Sequence, residues 1–139
     1  MSDRYFVDTN ILVYAHDRDS GRRHELSKAL VKELWEQRSG VLSTQVLQEL
    51  YVNLRRKAAR PLDVATARQL VEDYLSWKVV VNDGAAVLRA IDLEERYSLS
   101  FWDALIIDAA HNAGATMVYS EDLGHGQRYG GIEVRNPFA

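Results

Sequence analysis

The sequence contains no cysteine. That excludes disulfides, thiolate metal sites and a cysteine nucleophile, so any bound metal must use oxygen or imidazole ligands, and hard cations come to the fore. No apolar run approaches the roughly 18 residues needed to span a bilayer, and the opening MSDRYF lacks the basic and apolar regions of a signal peptide. A cytoplasmic protein with no membrane partner is expected. There is no excess of positive charge either: 17 Lys+Arg stand against 20 Asp+Glu, for a net charge of −3. This argues against a general nucleic-acid coat protein but leaves a local basic patch open. Internal repeats, low-complexity segments and linkers are also missing. What is present is a chain of 139 residues, 47% hydrophobic, long enough for one compact domain with a core and too short for two, so a single domain over 1–139 is expected.

The stretch RYFVDTNILVYA poses the first question, because Asp8 interrupts an otherwise apolar run. A buried carboxylate costs several kcal/mol unless something compensates it. Residues 4–8 read as a short buried strand that ends where Asp8, Thr9 and Asn10 favour a turn or a helix N-cap. A helical run over 11–16 follows. Leu26, Leu30 and Leu34 mark an amphipathic helix with Gly40 as its stop, and 41–43 form a candidate second strand. The next helix is expected over 44–59, closed by Pro61, and another over 63–76. KVVVND reads as a strand, 84–96 as a helix carrying Val87, Leu88, Ile91 and Leu93, and FWDALIIDAAHNAG as a helix closed by Gly114. ATMVYS and GIEVRNPF supply the last strands.

Strands alternating with helices predict an α/β fold around a mostly parallel sheet, since parallel neighbours need a helical crossover. Ligands in such sheets sit beyond the carboxyl ends of the strands. Asp8 closes one strand and Ser120-Glu121-Asp122 another; these two strands are expected to be neighbours.

Each acid has an ordinary explanation beside a chemical one. Asp8 may be no more than a cap. Asp103 lies on a helix apolar around nearly its whole circumference, with Ile106, Ile107 and Ala110 on its own face, and the competing explanation is a capping box with Ser100. Asp108, five residues on, points away from Asp103 and reads as a separate polar contact. Asp122 follows an apolar strand, and Glu121 beside it would face the other way. Glu49 falls in a row with Gln45, Asn53 and Arg56 opposite the apolar stripe of its helix, which a solvated face also predicts. Together, four carboxylates near strand ends and helix starts would repel and take up protons unless they share Mg²⁺ or Mn²⁺.

FVDTNILVYA, QVLQEL, LSFWDALIIDAA and MVYSEDL, in that order and at these separations, resemble the PIN domain, specifically the small ribonuclease toxins of the VapC type. The ending SEDLGHGQRYGGIEVRNPF resembles the close of one subgroup, so the likeness spans essentially the whole chain. The resemblance implies a three-layer α/β/α sandwich, an acidic quartet of Asp8, Glu49, Asp103 and Asp122 holding Mg²⁺ or Mn²⁺, and supporting roles for Thr9, Asn10 and Ser120. It also implies metal-dependent endoribonuclease activity, a homodimer, and an antitoxin partner.

RNA needs positive charge near such a pocket, and Arg55, Arg56, Lys57 and Arg60 cluster at the end of the Glu49 helix, where phosphate tracking competes with simple complementarity to the helix dipole. Trp35, Trp77 and Trp102 sit in apolar helical patterns that favour core packing. The four histidines show no metal-ligand spacing, and GHGQRYGG reads as a glycine-rich loop. Two rival functions remain. One is a haloacid-dehalogenase-like phosphatase with Asp8 as nucleophile, disfavoured because Asn10 stands where a second Asp is usual. The other is a non-catalytic acidic pocket that receives a partner's arginine.

Overall fold

The structure is a computed structural model that describes residues 3–56, 58 and 60–139. Among the described residues, six strands form one sheet in the order β3-β2-β1-β4-β6-β5. Strand β1 (Tyr5–Val7) pairs in parallel with β2 (Gly40–Ser43) on one side and with β4 (Met117–Tyr119) on the other. Strand β3 (Lys78–Val80) extends the sheet beyond β2, and β6 (Ile132–Arg135) extends it beyond β4. Only β5 (Arg128–Tyr129) is antiparallel, pairing with β6.

The chain therefore walks outward from β1 to β3 and then returns to the other side of β1. Because parallel crossovers are right-handed, reversing the direction of travel transfers the connecting helices to the opposite face. Four helices, α1 (Thr9–His16), α2 (Arg22–Gln37), α3 (Thr44–Arg56) and α4 (Val64–Tyr74), belong to the outward leg and pack on one another in chain order or nearly so. Helices α5 (Gly84–Tyr97) and α6 (Phe101–Asn112) belong to the return and pack on each other. The result is the expected three-layer α/β/α sandwich with a mostly parallel sheet. Phe6, Val7, Leu42, Val118 and Val134 are fully buried between the helical layers, as β-branched and aromatic residues should be in a parallel sheet covered on both faces.

Several expectations need correction. Helix α2 does not stop at Gly40. Arg38 takes the left-handed conformation at φ 54° and closes it, while Gly40 opens β2 and lies against the Trp77 ring so closely that a Cβ would overlap it. The helix expected over 44–59 ends at Arg56, and Ala59 lies outside the described residues. Helix α5 buries Ala86 and Ala90, whereas Val87, Leu88 and Ile91 are exposed. The glycine-rich stretch holds a short hairpin, with β5 and β6 joined through Gly130 (φ 63°) and Gly131. Positive φ at that turn is a conformation glycine adopts without steric cost.

Candidate functional site

Between β1 and β4 the strand order reverses, and in open α/β sheets the crevice beyond the carboxyl ends at such a switch point is where ligands bind. Asp8 follows β1, and Ser120, Glu121 and Asp122 follow β4. With Val7 in register with Tyr119, the two strand ends release their next residues side by side. Asp8 is at once the N-cap of α1 and a wall of the crevice. Its Oδ1 accepts from the Thr9 amide at 2.8 Å and its Oδ2 from the Ser120 hydroxyl at 2.7 Å.

A cavity of about 300 Å³ opens here, lined by Asp8, Glu49, Asp103 and Asp122 together with Thr9 and Asn10. Each small polar neighbour holds one acid or its strand end. The Thr9 hydroxyl donates to Glu49 Oε1 at 2.9 Å, and Asn10 Nδ2 donates to Asp122 Oδ2 at 2.9 Å. Ser120 Oγ, besides donating to Asp8, accepts from the amides of Asp122 and Leu123, so one hydroxyl ties the β4 turn to the β1 carboxylate. Asp103 reaches the cavity from the first turn of α6, where its own amide donates to the Ser100 N-cap at 3.1 Å. Capping and site geometry coexist there.

Electrostatics mark the crevice as strongly negative. Asp8 is 7% exposed, and its carboxyl is pushed up to about 6, first by burial and further by the charges of Glu49 and Asp103, against the opposing hydrogen bonds from Ser120 and Thr9. Among the described residues, none of the four acids forms an ion pair with Lys or Arg; the salt bridges engage Glu121, Asp19, Glu72, Asp108 and Glu133 instead. Asn10 Oδ1 is buried without a donor. Hard oxygen ligands, uncompensated negative charge and an orphaned acceptor fit a hydrated divalent cation. Among the described residues no three acids already converge on one point, because hydroxyl, amide and backbone donors hold three of them apart.

The neighbouring acids separate cleanly. Glu121 faces away from Asp122, accepting from the Tyr14 hydroxyl at 2.8 Å and pairing with Arg23, whose guanidinium also lies over the Phe138 ring. Asp108 is buried and gripped by Arg89 through two bonds of 2.7 and 3.2 Å, a clamp between α5 and α6.

The basic cluster disperses. Arg55 Nη1 donates to the Leu62 carbonyl at 3.1 Å, and Arg60 pairs with Asp19 at 3.2 Å. Lys57 lies outside the described residues. Arg56 is exposed and continues the helical row of Glu49 and Asn53 one turn past the cavity wall. Gln45 and Asn53 also line the cavity, and their spacing around Glu49 was the sequence signal for them. Trp35 and Trp77 pack with Tyr74 in an aromatic cluster, but Trp102, assigned to the core from its pattern, is 62% exposed and lines the cavity.

A family model described as the PIN domain matches residues 5–129. No curated protein matches the chain in sequence. Among solved structures, it is similar to VapC20 of Mycobacterium tuberculosis, a sarcin-ricin loop cleaving toxin, at 22% identity and a TM-score of 0.65, covering 86% of this chain and 90% of that one. A toxin-antitoxin complex from Klebsiella pneumoniae matches at 19% identity and a TM-score of 0.69, covering 96% and 97%. DNA-bound VapBC from Salmonella typhimurium matches at 17% identity and a TM-score of 0.67, covering 98% and 99%.

Proposed function

The chain belongs to the PIN-domain family, and from that premise we propose that it is a divalent-metal-dependent endoribonuclease, the toxin of a VapC-type toxin-antitoxin pair acting in the cytoplasm. The observation that carries this reading is the meeting of Asp8, Glu49, Asp103 and Asp122, from four separate segments, around one cavity at the sheet's switch point with no cationic side chain to neutralise them. VapC20, which shares the fold, cleaves RNA at the sarcin-ricin loop.

The four acids would hold Mg²⁺ or Mn²⁺. When bound, such a cation offsets the negative charge that builds on the phosphoryl and leaving oxygens during phosphodiester hydrolysis. The chain's own residues set the geometry. Ser120 and the Thr9 amide hold the two oxygens of Asp8, Thr9 directs Glu49, and Asn10 directs Asp122. The N-termini of α1 and α6 add positive dipole ends beside a strongly anionic crevice. Arg56 offers a phosphate contact along the strand of RNA leaving the cavity.

Two partners complete the reading. An antitoxin would occupy or cover the acidic crevice, in keeping with the toxin-antitoxin complexes that share this fold. A second copy would pair through α5, whose Val87, Leu88 and Ile91 form an exposed apolar face at helical spacing. Leu88→Asp should then shift the protein from dimer to monomer in sedimentation.

The deciding experiment incubates a panel of structured cellular RNAs with the purified protein in Mg²⁺, Mn²⁺ or EDTA, with Asp8→Ala alongside. Cleavage that needs the cation and Asp8 supports the proposal. Cleavage at the wild-type rate by a folded Asp8→Ala protein overturns the site. An acyl-phosphate on Asp8 would point to phosphatase chemistry instead.

A further inference from the structure

The cavity is more than an acid cluster. Val13, Ile106 and the indole of Trp102 share its lining with the carboxylates. Binding a hydrated cation requires none of these apolar groups. Trp102 is also the tryptophan that the core did not take: 62% of it is exposed, whereas Trp77 is buried and Trp35 packs against both Trp77 and Tyr74. Its position is nevertheless fixed. The Trp102 carbonyl accepts from Gln45 Nε2 at 3.4 Å, and Phe101 lies against the ring in a T-shaped arrangement with centroids 5.2 Å apart. Ile106 stands one turn further along the same face of α6, and Asp103 is the next residue in the chain.

An exposed indole on a rigid helix start, adjoining the acids that would surround the cut phosphodiester, has the features of a stacking platform. A nucleotide whose phosphate enters the acidic side carries its base only one sugar away, and an unpaired base offers a flat π-face for which the indole is the complementary surface. We propose that Trp102 stacks an unpaired base flanking the cleaved phosphodiester, so that the enzyme selects single-stranded or looped RNA over duplex. This rests on the endoribonuclease reading for its substrate class. The indole adds binding and register rather than chemistry, because it carries no group able to move a proton to or from a phosphate oxygen.

The test measures binding in EDTA, where no cleavage intervenes, of a 12-nucleotide single-stranded RNA, an abasic strand of the same length, and the RNA annealed to its complement. Wild-type protein should show indole quenching with the single strand and bind the abasic and duplex forms far more weakly. Trp102→Ala should weaken single-strand binding about 5- to 100-fold, the span expected for one stacked base. Trp102→Phe should retain most of the affinity but lose the quench, which identifies Trp102 as the reporter. In Mg²⁺, Trp102→Ala should raise KM by a similar factor with little change in kcat. Equal affinity for the abasic strand, a quench that persists in Trp102→Phe, or an unchanged KM in Trp102→Ala would overturn the proposal. So would a Trp102→Ala protein that binds RNA normally but dissociates to monomers, since the indole would then be a protein contact. Base-dependent quenching without cleavage of any RNA would defeat the nuclease reading and leave the stacking platform standing. Cleavage with KM insensitive to Trp102 would do the reverse.

Discussion

Ser120 Oγ donates to Asp8 Oδ2 at 2.7 Å across a sequence separation of 112 residues. This bond joins the ends of two adjacent strands and lowers the cost of holding a buried carboxylate charged. Ser120→Ala should therefore raise the Asp8 pKa above its present value of about 6 and loosen the carboxylate. Partners of this kind typically account for 10- to 100-fold in metal affinity or activity. The expected outcome is a drop of that order in cleavage, with the acidic limb of the pH profile displaced upward; pH-dependent single-turnover cleavage checks it.

The metal-free protein should become less stable as pH rises through the titration of Asp8. Its folded pKa lies above the ordinary 3.8, so between about pH 4 and 6 the folded state binds more protons than the unfolded one, and unfolding free energy falls with increasing pH. The contribution is fully present below pH 4 and lost above pH 6, with a size of roughly 3 kcal/mol. Urea unfolding in EDTA at several pH values should show this slope, and Asp8→Asn should flatten it. Added Mg²⁺ should stabilise the protein more at pH 8 than at pH 5, because the cation binds ionised acids.

Arg55 and Arg56 are adjacent but should behave differently. Arg55 closes the connection between α3 and α4 through the Leu62 carbonyl, so Arg55→Gln should lower the unfolding midpoint while leaving the salt dependence of RNA binding unchanged. Arg56→Gln should leave stability unchanged and reduce the slope of log affinity against log salt by about 1, the signature of one lost phosphate contact.

Gly40→Ala should destabilise the fold without touching the site. A Cβ there overlaps the Trp77 ring, which Trp35 and Tyr74 brace. Overpacking of this sort costs about 1–3 kcal/mol. Thermal unfolding should report the loss, and activity of the protein that remains folded should be normal.

The parts of the molecule that could be read from sequence are those where local pattern and tertiary demand agree. Asp8 breaks an apolar strand, and a charge in that place requires either a turn or a ligand; the structure supplies the turn and leaves the carboxylate on the crevice wall. Asp103 stands out because its helix is otherwise apolar. Glu49 does not, since a polar row on a helix looks the same whether it faces water or a cavity. Trp102 was misplaced for the converse reason: an aromatic in an apolar helix pattern fits the core equally well, and only the packing of α6 against α5 decides which side of the helix remains open. The Arg89 grip on Asp108 joins two helices, and no spacing within either one announces it. β5 has two residues, too few for any period to show.

The order of strands also governs when the enzyme comes into being. Asp122 follows β4, and β4 takes the place beside β1 only after the outward leg of the sheet has been made. A ribosome translating this message thus carries an incomplete cutter for most of synthesis, with three acids of the quartet emerged and the fourth still missing. Activity arrives late and all at once, when the returning strand slides into the middle of the sheet, and any shortening that removes β4 discards Ser120 and Asp122 together.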